Sequence, residues 1–320
     1  RLVDIGTEGQ IAGLVLYGDS AVKGDWDRLL DLQESNAVGP LFDGLSKSWA
    51  LVGKGQMSEA IEAFDAVAST QGVEAFGLYH KALALASVGD FEGAAEIFSG
   101  DTGTAIRLTR RGVVAYAQVL SQLERNADGS ELITASFGTS LDPYLEAIKA
   151  KLDAGETLPF DTVKDATQGV AEVYYSIATA LRGEAQDPYT LIYTRMAAAL
   201  RPDHVDSLLL SAELLENLER YDLATEVYDS VPRDNPSFHA AELGRAEALR
   251  RSGREDAAIE VLKQLAKTHD DLPLVHVTLG DTLRGMDRFE ESIKPYNAAV
   301  DLIETPEEQH WIIFFARAIA

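Results

Sequence analysis

A few short patterns in the chain contain residue types that could do chemistry. Asp101-Thr102-Gly103 matches the tripeptide of aspartic proteases, in which two carboxylates share a proton and activate water. That site needs a second copy and surrounding β-strands, whereas this copy follows a helical stretch. Gly53-Lys54-Gly55 lacks the upstream glycine and the Ser or Thr after lysine that a phosphate-binding loop requires. Both patterns are interpreted as turns that follow helices.

The sequence also gives little support for a metal site or a reactive thiol. The chain contains 6 histidines and no cysteine, and no two histidines form an HExxH pair. Without thiolates, a metal cluster would depend on scattered carboxylates. We therefore expect no catalytic residues, no cofactor, no metal site and no enzymatic activity.

Composition points to a folded protein with a strongly acidic surface. Hydrophobic residues make up 46% of the 320 residues and charged residues 25%, which suffices for a continuous core. The formal net charge of −24 repels phosphate backbones and anionic lipid headgroups. No apolar run approaches the roughly 18 residues of a membrane span. These features disfavour nucleic acid and membrane insertion, and favour a basic or neutral protein partner.

A fixed interval dominates the pattern along the chain. Pro202 and Pro236 are separated by the same number of residues as Ala60 and Ala94. Within residues 205–236, two segments carry apolar or small residues at three- and four-residue spacing, as two packed helices require. Close packing needs small side chains where the helices cross, at Ala212 and Ala224. Pro236 is predicted to end the second helix.

Small, aromatic and proline residues recur in this register in units that begin near Leu41, Ala75, Ala171, Val205, His239 and Pro273. This arrangement resembles the tetratricopeptide repeat family, whose helix-turn-helix units are about 34 residues long. The resemblance implies an all-α fold, a right-handed superhelical solenoid of antiparallel helix pairs. It also implies binding of proteins rather than catalysis.

The regularity of the repeat spacing divides the chain into four predicted segments. Residues 1–100 comprise a helical hairpin and two repeat-like units, 101–170 are irregular, 171–306 hold four regular units, and 307–320 begin a further unit that the chain leaves uncovered. Within the irregular segment we expect a helix from Ala105 to Arg125, a turn over 126–130, and a helix from Asp142-Pro143 to about Leu152. The irregular segment is either a degenerate repeat or a special contact surface.

In the family, the first helices of the units line an inner groove that binds a peptide or helix of a partner. Carried over by register, the resemblance implies a groove formed by Phe42, Leu45, Trp49, Phe76, Tyr79, Leu83, Tyr175, Arg182, Leu209, Glu213, Arg250, Arg251 and Arg284. Arg182, Arg250 and Arg284 occupy equivalent places and would form a basic ladder that holds a carboxylate. The alternative is pairing of these arginines with nearby acids of the same chain, Glu213, Glu216, Glu247 and Asp281.

Three functions are compatible with such a scaffold. The first hypothesis is a non-enzymatic interaction scaffold with no cofactor. The second is a regulatory or substrate-docking arm of a larger enzyme, and the third is self-association through the apolar stretch WIIFFA at 311–316. The chain resembles alanine-rich, acidic tetratricopeptide proteins of bacteria, which are often exported to the periplasm or attached to the outer membrane, and the resemblance implies the same compartment. The cytoplasm remains the alternative compartment.

Overall fold

The computed structural model describes residues 9–34, 37–101, 103, 106–303 and 311–319. These residues form α-helices and no strand. The helices are Gln10–Lys23 (α1), Trp26–Glu34 (α2), Pro40–Gly53 (α3), Met57–Ala68 (α4), Glu74–Ser87 (α5), Phe91–Ser99 (α6), Arg110–Gln122 (α7), Asn126–Phe137 (α8), Pro143–Asp153 (α9), Ala166–Leu181 (α10), Asp187–Leu200 (α11), Val205–Asn217 (α12), Tyr221–Asp229 (α13), Phe238–Arg251 (α14), Glu255–Thr268 (α15), Pro273–Gly285 (α16), Phe289–Asp301 (α17) and Trp311–Ala318 (α18). The predicted all-α solenoid class is confirmed. None of these helices combines the length and the apolar character needed to cross a membrane.

Small residues hold the helices of each pair together, as the repeat register predicts. Ala224, Ala258 and Ser292 recur at the repeat interval, one in each of α13, α15 and α17, and all three are fully buried. Ala60 and Ala94 take the same role in α4 and α6 and are also fully buried. A methyl or hydroxymethyl group at this place leaves room for the neighbouring helix to approach closely.

A left-handed backbone conformation recurs at one turn position in successive repeats. Glu219, Gly253 and Asp287 follow one another at the same interval, between the two helices of successive pairs, and have φ values of 57°, 79° and 59°. Gly55 and Gly89 adopt the same conformation one repeat apart, with φ of 74° and 88°. Glycine reaches this region without strain, whereas a residue with a Cβ atom does not. Two turns of the C-terminal repeats therefore hold a strained residue.

Three local predictions need correction. The turn predicted over 126–130 is the first turn of α8, because Glu124, with φ of 60°, makes the turn instead. The preceding helix begins at Arg110; Ala105 lies outside the described residues. Pro236 does not end a helix, since α13 stops at Asp229 and Pro236 lies in the link to α14. The predicted start of α9 is confirmed: Asp142 accepts hydrogen bonds from the Tyr144 and Leu145 amides.

The chain divides into two compact bodies, Arg1–Ser207 (the N-terminal body) and Leu208–Ala320 (the C-terminal body). This division falls within α12. In the N-terminal body, α10 lies against α3, α5 and α1 as well as against α11. The α10–α11 pair is thereby joined to the N-terminal repeats.

Close contact between α10 and α3 depends on Gly169. A Cβ atom at this position would lie 2.1 Å from the Trp49 indole ring, and Trp49 is fully buried. The Trp49 Nε1 atom donates a hydrogen bond to His80 Nδ1 on α5 at 3.0 Å. His80 Nε2 in turn lies 3.0 Å from Ser176 Oγ on α10. Three helices thus meet around one tryptophan.

Filling the gap at Gly169 should weaken the N-terminal body. Gly169→Ala places a methyl group against the Trp49 ring, and we expect the free energy of unfolding to fall by about 1–3 kcal/mol from overpacking. Urea denaturation measures the change. Ala180→Ser, a change of similar size at an exposed position near the end of α10, serves as the control and should change stability little. Equal stability of Gly169→Ala and the wild type would contradict the close approach of α10 to α3.

Candidate functional site

A cavity of about 380 Å³ opens in the N-terminal body between α5, residues 106–111 and α10. Its walls are aromatic and aliphatic, formed by Phe76, Tyr79, Tyr175, Ile106 and Leu108. Phe76 and Tyr79 on α5 and Tyr175 on α10 are three of the predicted groove residues. The structure therefore brings part of the predicted groove together around one cavity.

Helical spacing explains why these side chains converge. Phe76 and Tyr79 are three residues apart on α5, so they share one face of that helix. On α10, Glu172, Tyr175 and Thr179 recur at intervals of three and four and line the opposite wall. Thr109 belongs to the third wall, residues 106–111, and its hydroxyl accepts a hydrogen bond from the Gly112 amide that fixes the start of α7.

A buried ion pair lies at the base of the cavity. Arg111 Nε donates to both carboxylate oxygens of Glu172, at 3.0 and 2.8 Å, and Arg111 Nη1 donates to Asp206 at 2.9 Å. The Glu172 side chain is 1% exposed and that of Arg111 16%. Tyr79 Oη also donates to Glu172, at 2.9 Å. One carboxylate thus connects α5, α7 and α10.

The surroundings keep Glu172 ionised. Burial alone would raise the pKa of the Glu172 carboxyl, but the Arg111 charge and hydrogen bonds from His204 and Arg111 outweigh burial and hold this pKa well below its usual range. The pKa of His204 is lowered by burial first and by the Arg111 charge second. His204 is therefore neutral and Glu172 negative near pH 7.

The arrangement of His204 is suited to support rather than catalysis. Its Nε2 atom lies 3.4 Å from Glu172, and its Nδ1 atom accepts a hydrogen bond from the Ser207 amide at 3.2 Å. The imidazole is fully buried. Because both ring nitrogens have partners within the chain, His204 orients Glu172 and has no free nitrogen to exchange a proton with a ligand.

Three arginines surround the cavity, and they differ in their partners. Arg111 is shared between Glu172 and Asp206, as described. Arg110 forms two hydrogen bonds with Asp142, one of them at 3.1 Å, and lies over the Tyr144 ring. Arg107 is exposed and forms no ion pair with any residue among those the structure describes. It is the lining cation that remains open to a ligand.

Four predicted groove residues are not accessible in this structure. Phe42, Leu45, Trp49 and Leu83 are at most 3% exposed and belong to the core. Phe42 packs edge-on against Tyr174 of α10, with 4.8 Å between ring centroids. The α10–α11 pair covers the face of α3 that the resemblance assigns to a partner. These four residues are therefore removed from the proposed binding surface.

The remaining predicted residues are charged or half-buried. Arg182 of the N-terminal body is exposed, and Leu209 and Glu213 of the C-terminal body are half-buried. Arg250 donates two hydrogen bonds to Glu247, at 2.8 and 2.7 Å, and Arg284 donates to Asp281 and to the Tyr296 hydroxyl. Arg251 lies over the Tyr221 ring at 5.1 Å and 4.0 Å from Glu216. Arg250, Arg251 and Arg284 therefore each lie within 4.0 Å of an acid of the same chain.

Sequence reasoning missed the Arg111–Glu172 pair as a unit. One signal was available, because Glu172 is the one charged residue in the sixteen-residue helix α10. An isolated acid in an apolar helix indicates a buried partner of opposite charge. The partner could not be located, because Arg111 lies 61 residues earlier in the irregular segment.

The patterns that suggested chemistry are placed in turns. Gly53 ends α3 and Gly55, with φ of 74°, makes the following turn. Asp101 lies just after α6, and Thr102 of the same tripeptide is outside the described residues. Within the described part of the chain, no three His, Asp or Glu side chains are grouped as a metal site would need.

Removing one partner of the buried ion pair should lower the free energy of unfolding far more than replacing both partners by apolar residues. We expect Arg111→Met to lower the free energy of unfolding by about 3–5 kcal/mol, because Glu172 is left charged and buried. The double variant Arg111→Met/Glu172→Leu should recover much of that loss. Arg250→Met and Arg250→Met/Glu247→Leu are the exposed controls and should change stability by less than about 1 kcal/mol in urea denaturation. A double variant no more stable than Arg111→Met would contradict a dominant uncompensated charge.

A family model recognises part of the repeat. The tetratricopeptide repeat model matches residues 209–273. Among solved structures, MamA from Desulfovibrio magneticus RS-1 is 13% identical, with a TM-score of 0.37 over 61% of this chain and 97% of that chain. The C-terminal part of a TPR repeat-containing protein from Cytophaga hutchinsonii is 11% identical, with a TM-score of 0.39 over 85% of this chain and 98% of that chain.

No curated protein matches the chain significantly in sequence. The family assignment depends on the repeat itself, which recurs in the helix pairs and is recognised by the family model. Residues 209–273 are therefore identified as tetratricopeptide repeats, which confirms the resemblance drawn from the sequence.

Proposed function

We propose that the chain is a non-enzymatic scaffold that binds a segment of a partner protein, and that the cavity of the N-terminal body receives an apolar side chain of that segment. Proteins with tetratricopeptide repeats generally bind other proteins. The observation that carries the proposal is the convergence of Phe76, Tyr79 and Tyr175 on one cavity of about 380 Å³.

Size and lining support an apolar anchor. Cavities that bind ligands typically enclose about 300–1,000 Å³ and are mostly apolar, with a few polar groups that fix orientation. The present cavity lies at the lower end of this range, which suits one large side chain and its neighbours in the segment. Aromatic walls supply large contact areas with few rotatable bonds, as interaction hot spots do.

The buried ion pair prepares the cavity for binding. Tyr79 is held by its hydrogen bond to Glu172, and the Arg111 guanidinium lies 5.9 Å from the centre of the Tyr175 ring. Two aromatic walls are thus fixed before a partner arrives. A binding site that is already ordered loses less conformational entropy on association.

The arginines of the C-terminal body are proposed as a separate, weaker contact. The Arg250 and Glu247 side chains are each 44% exposed, so their ion pair is screened by solvent and contributes little to stability. Such a pair can exchange partners at small cost. A polar segment with charges of both signs would suit this surface, and the net charge of −24 favours partners that are basic or neutral overall.

Selection from a random peptide library displayed on phage tests the proposal without knowledge of the natural partner. The full chain should enrich peptides that contain a large apolar residue. Phe76→Ala should weaken binding of the enriched peptides by about tenfold or more, since a buried phenylalanine contributes about 1.5–3 kcal/mol. Isothermal titration calorimetry on the selected peptides measures the change.

Phe289→Ala removes a phenylalanine that is 42% exposed in the C-terminal body and serves as the matched control. Its affinity for the selected peptides should equal that of the wild type. Circular dichroism establishes that both variants are folded. Peptides that bind Phe76→Ala as tightly as the wild type, or the absence of enriched apolar peptides, would contradict the cavity as the binding site.

A further inference from the structure

The chemistry of the partner segment can be specified further, on the basis of the proposed function. We propose that the segment carries an acidic side chain, Asp or Glu, directly beside its apolar anchor, and that Arg107 binds this carboxylate at the edge of the cavity. The charges around the cavity support the proposal. Its lining contains three arginines and one acid, Glu172, in a protein that is otherwise strongly acidic.

Two of the three arginines are already committed. Arg111 is held by Glu172 and Asp206, and its Nη2 atom also donates to the Thr162 carbonyl at 3.1 Å. Arg110 is held by both oxygens of Asp142. Releasing Arg111 for a ligand would leave Glu172 unpaired in the interior, at high cost. Arg111 is therefore not expected to bind a ligand carboxylate, and the charge of Arg110 is already neutralised by Asp142.

Arg107 differs from both. It lines the cavity shortly before the start of α7, next to the apolar wall residues Ile106 and Leu108. Its side chain is exposed, and within the described residues no acid forms an ion pair with it. A guanidinium group donates two parallel hydrogen bonds to a carboxylate, which fixes the orientation of the bound group. Arg107 thus combines an uncompensated charge with an adjacent apolar surface.

The single acid in the lining does not oppose this assignment. Glu172 is buried and receives hydrogen bonds from Arg111 and Tyr79, so its charge is directed into the protein. Asp142 and Asp206 are bound to Arg110 and Arg111 and are not part of the lining. Arg107 is thus the lining charge without a bound acid among the described residues.

The net charge of the protein determines where the partner segment can carry an acidic residue. An acidic residue elsewhere in the segment is repelled by a protein with a net charge of −24. A carboxylate beside the anchor is attracted by Arg107 instead. Charge complementarity of this kind sets the register and specificity of a bound segment more than its affinity.

Three blocked tetrapeptides test the inference on the full chain: acetyl-Ala-Phe-Asp-Ala-amide, the same peptide with Asn for Asp, and the same peptide with Ala for Phe. NMR titration at millimolar peptide gives their dissociation constants. We expect the Asp peptide to bind about fivefold more tightly than the Asn peptide, as an exposed ion pair allows. This preference should shrink in high salt, whereas binding of the Asn peptide should not change.

In Arg107→Gln, the Asp peptide should bind no more tightly than the Asn peptide, because the net charge of −24 no longer meets a local attraction. Arg233→Gln, which removes an exposed arginine of the C-terminal body, is the matched control and should retain the preference for Asp. The inference is overturned if Arg107→Gln keeps the preference, or if the wild type binds the two peptides equally.

The two proposals fail in different ways. If the Asp and Asn peptides bind equally and both lose affinity in Phe76→Ala, the role of Arg107 is wrong and the apolar cavity stands. If the peptide lacking phenylalanine binds as well as the other two, or if none of the three binds, the cavity does not receive an apolar anchor and both proposals fail.

Discussion

The structure of the N-terminal body depends on one buried carboxylate. Glu172 is 1% exposed, and a charge in such a place is tolerated only with a close partner of opposite charge and hydrogen bonds to both oxygens. Arg111 supplies the charge, while Tyr79 and His204 complete the hydrogen bonds. These partners come from α5, from the start of α7 and from the link before α12. The same requirement that keeps Glu172 paired therefore fixes the walls of the cavity.

In the N-terminal body, the packing of α10 covers helix faces that would otherwise be accessible to a partner. Tetratricopeptide repeats usually leave the first helices of their pairs open along a groove, but here α10 lies on α3 and α5. Gly169 allows this approach because it presents no side chain to Trp49. Of the predicted groove residues in this body, Phe76, Tyr79 and Tyr175 line the cavity. For this reason we propose recognition of a single anchored side chain in place of a long bound helix.

Local features of the fold were predictable and distant ones were not. The helix pairs, the buried alanines at 60, 94, 224 and 258, and the start of α9 at Asp142-Pro143 depend on residues close together in sequence. The packing of α10 on α3 brings Gly169 against Trp49, which lies several repeats away in sequence. The spacing of residues within a repeat carries no information about such a distant contact. For the site, the register assigned Phe76, Tyr79 and Tyr175 to one groove, and in the structure these three residues line one cavity. It could not show that Phe42, Leu45, Trp49 and Leu83 are covered, because a register assigns residues to a helix face without stating what covers that face.

The ionisation of Glu172 tests this account most directly. Its folded pKa is depressed, so the stability that it contributes is present above the ordinary glutamate pKa of about 4.3 and is lost only as the pH falls towards the depressed value. NMR titration of the Glu172 side-chain carboxyl carbon follows the charge itself. The account predicts that this signal does not titrate near the ordinary glutamate pKa and remains that of a carboxylate for as long as the protein stays folded on acidification. A midpoint at or above the ordinary value would show that Arg111 does not compensate the charge, and the proposed origin of the cavity would be wrong.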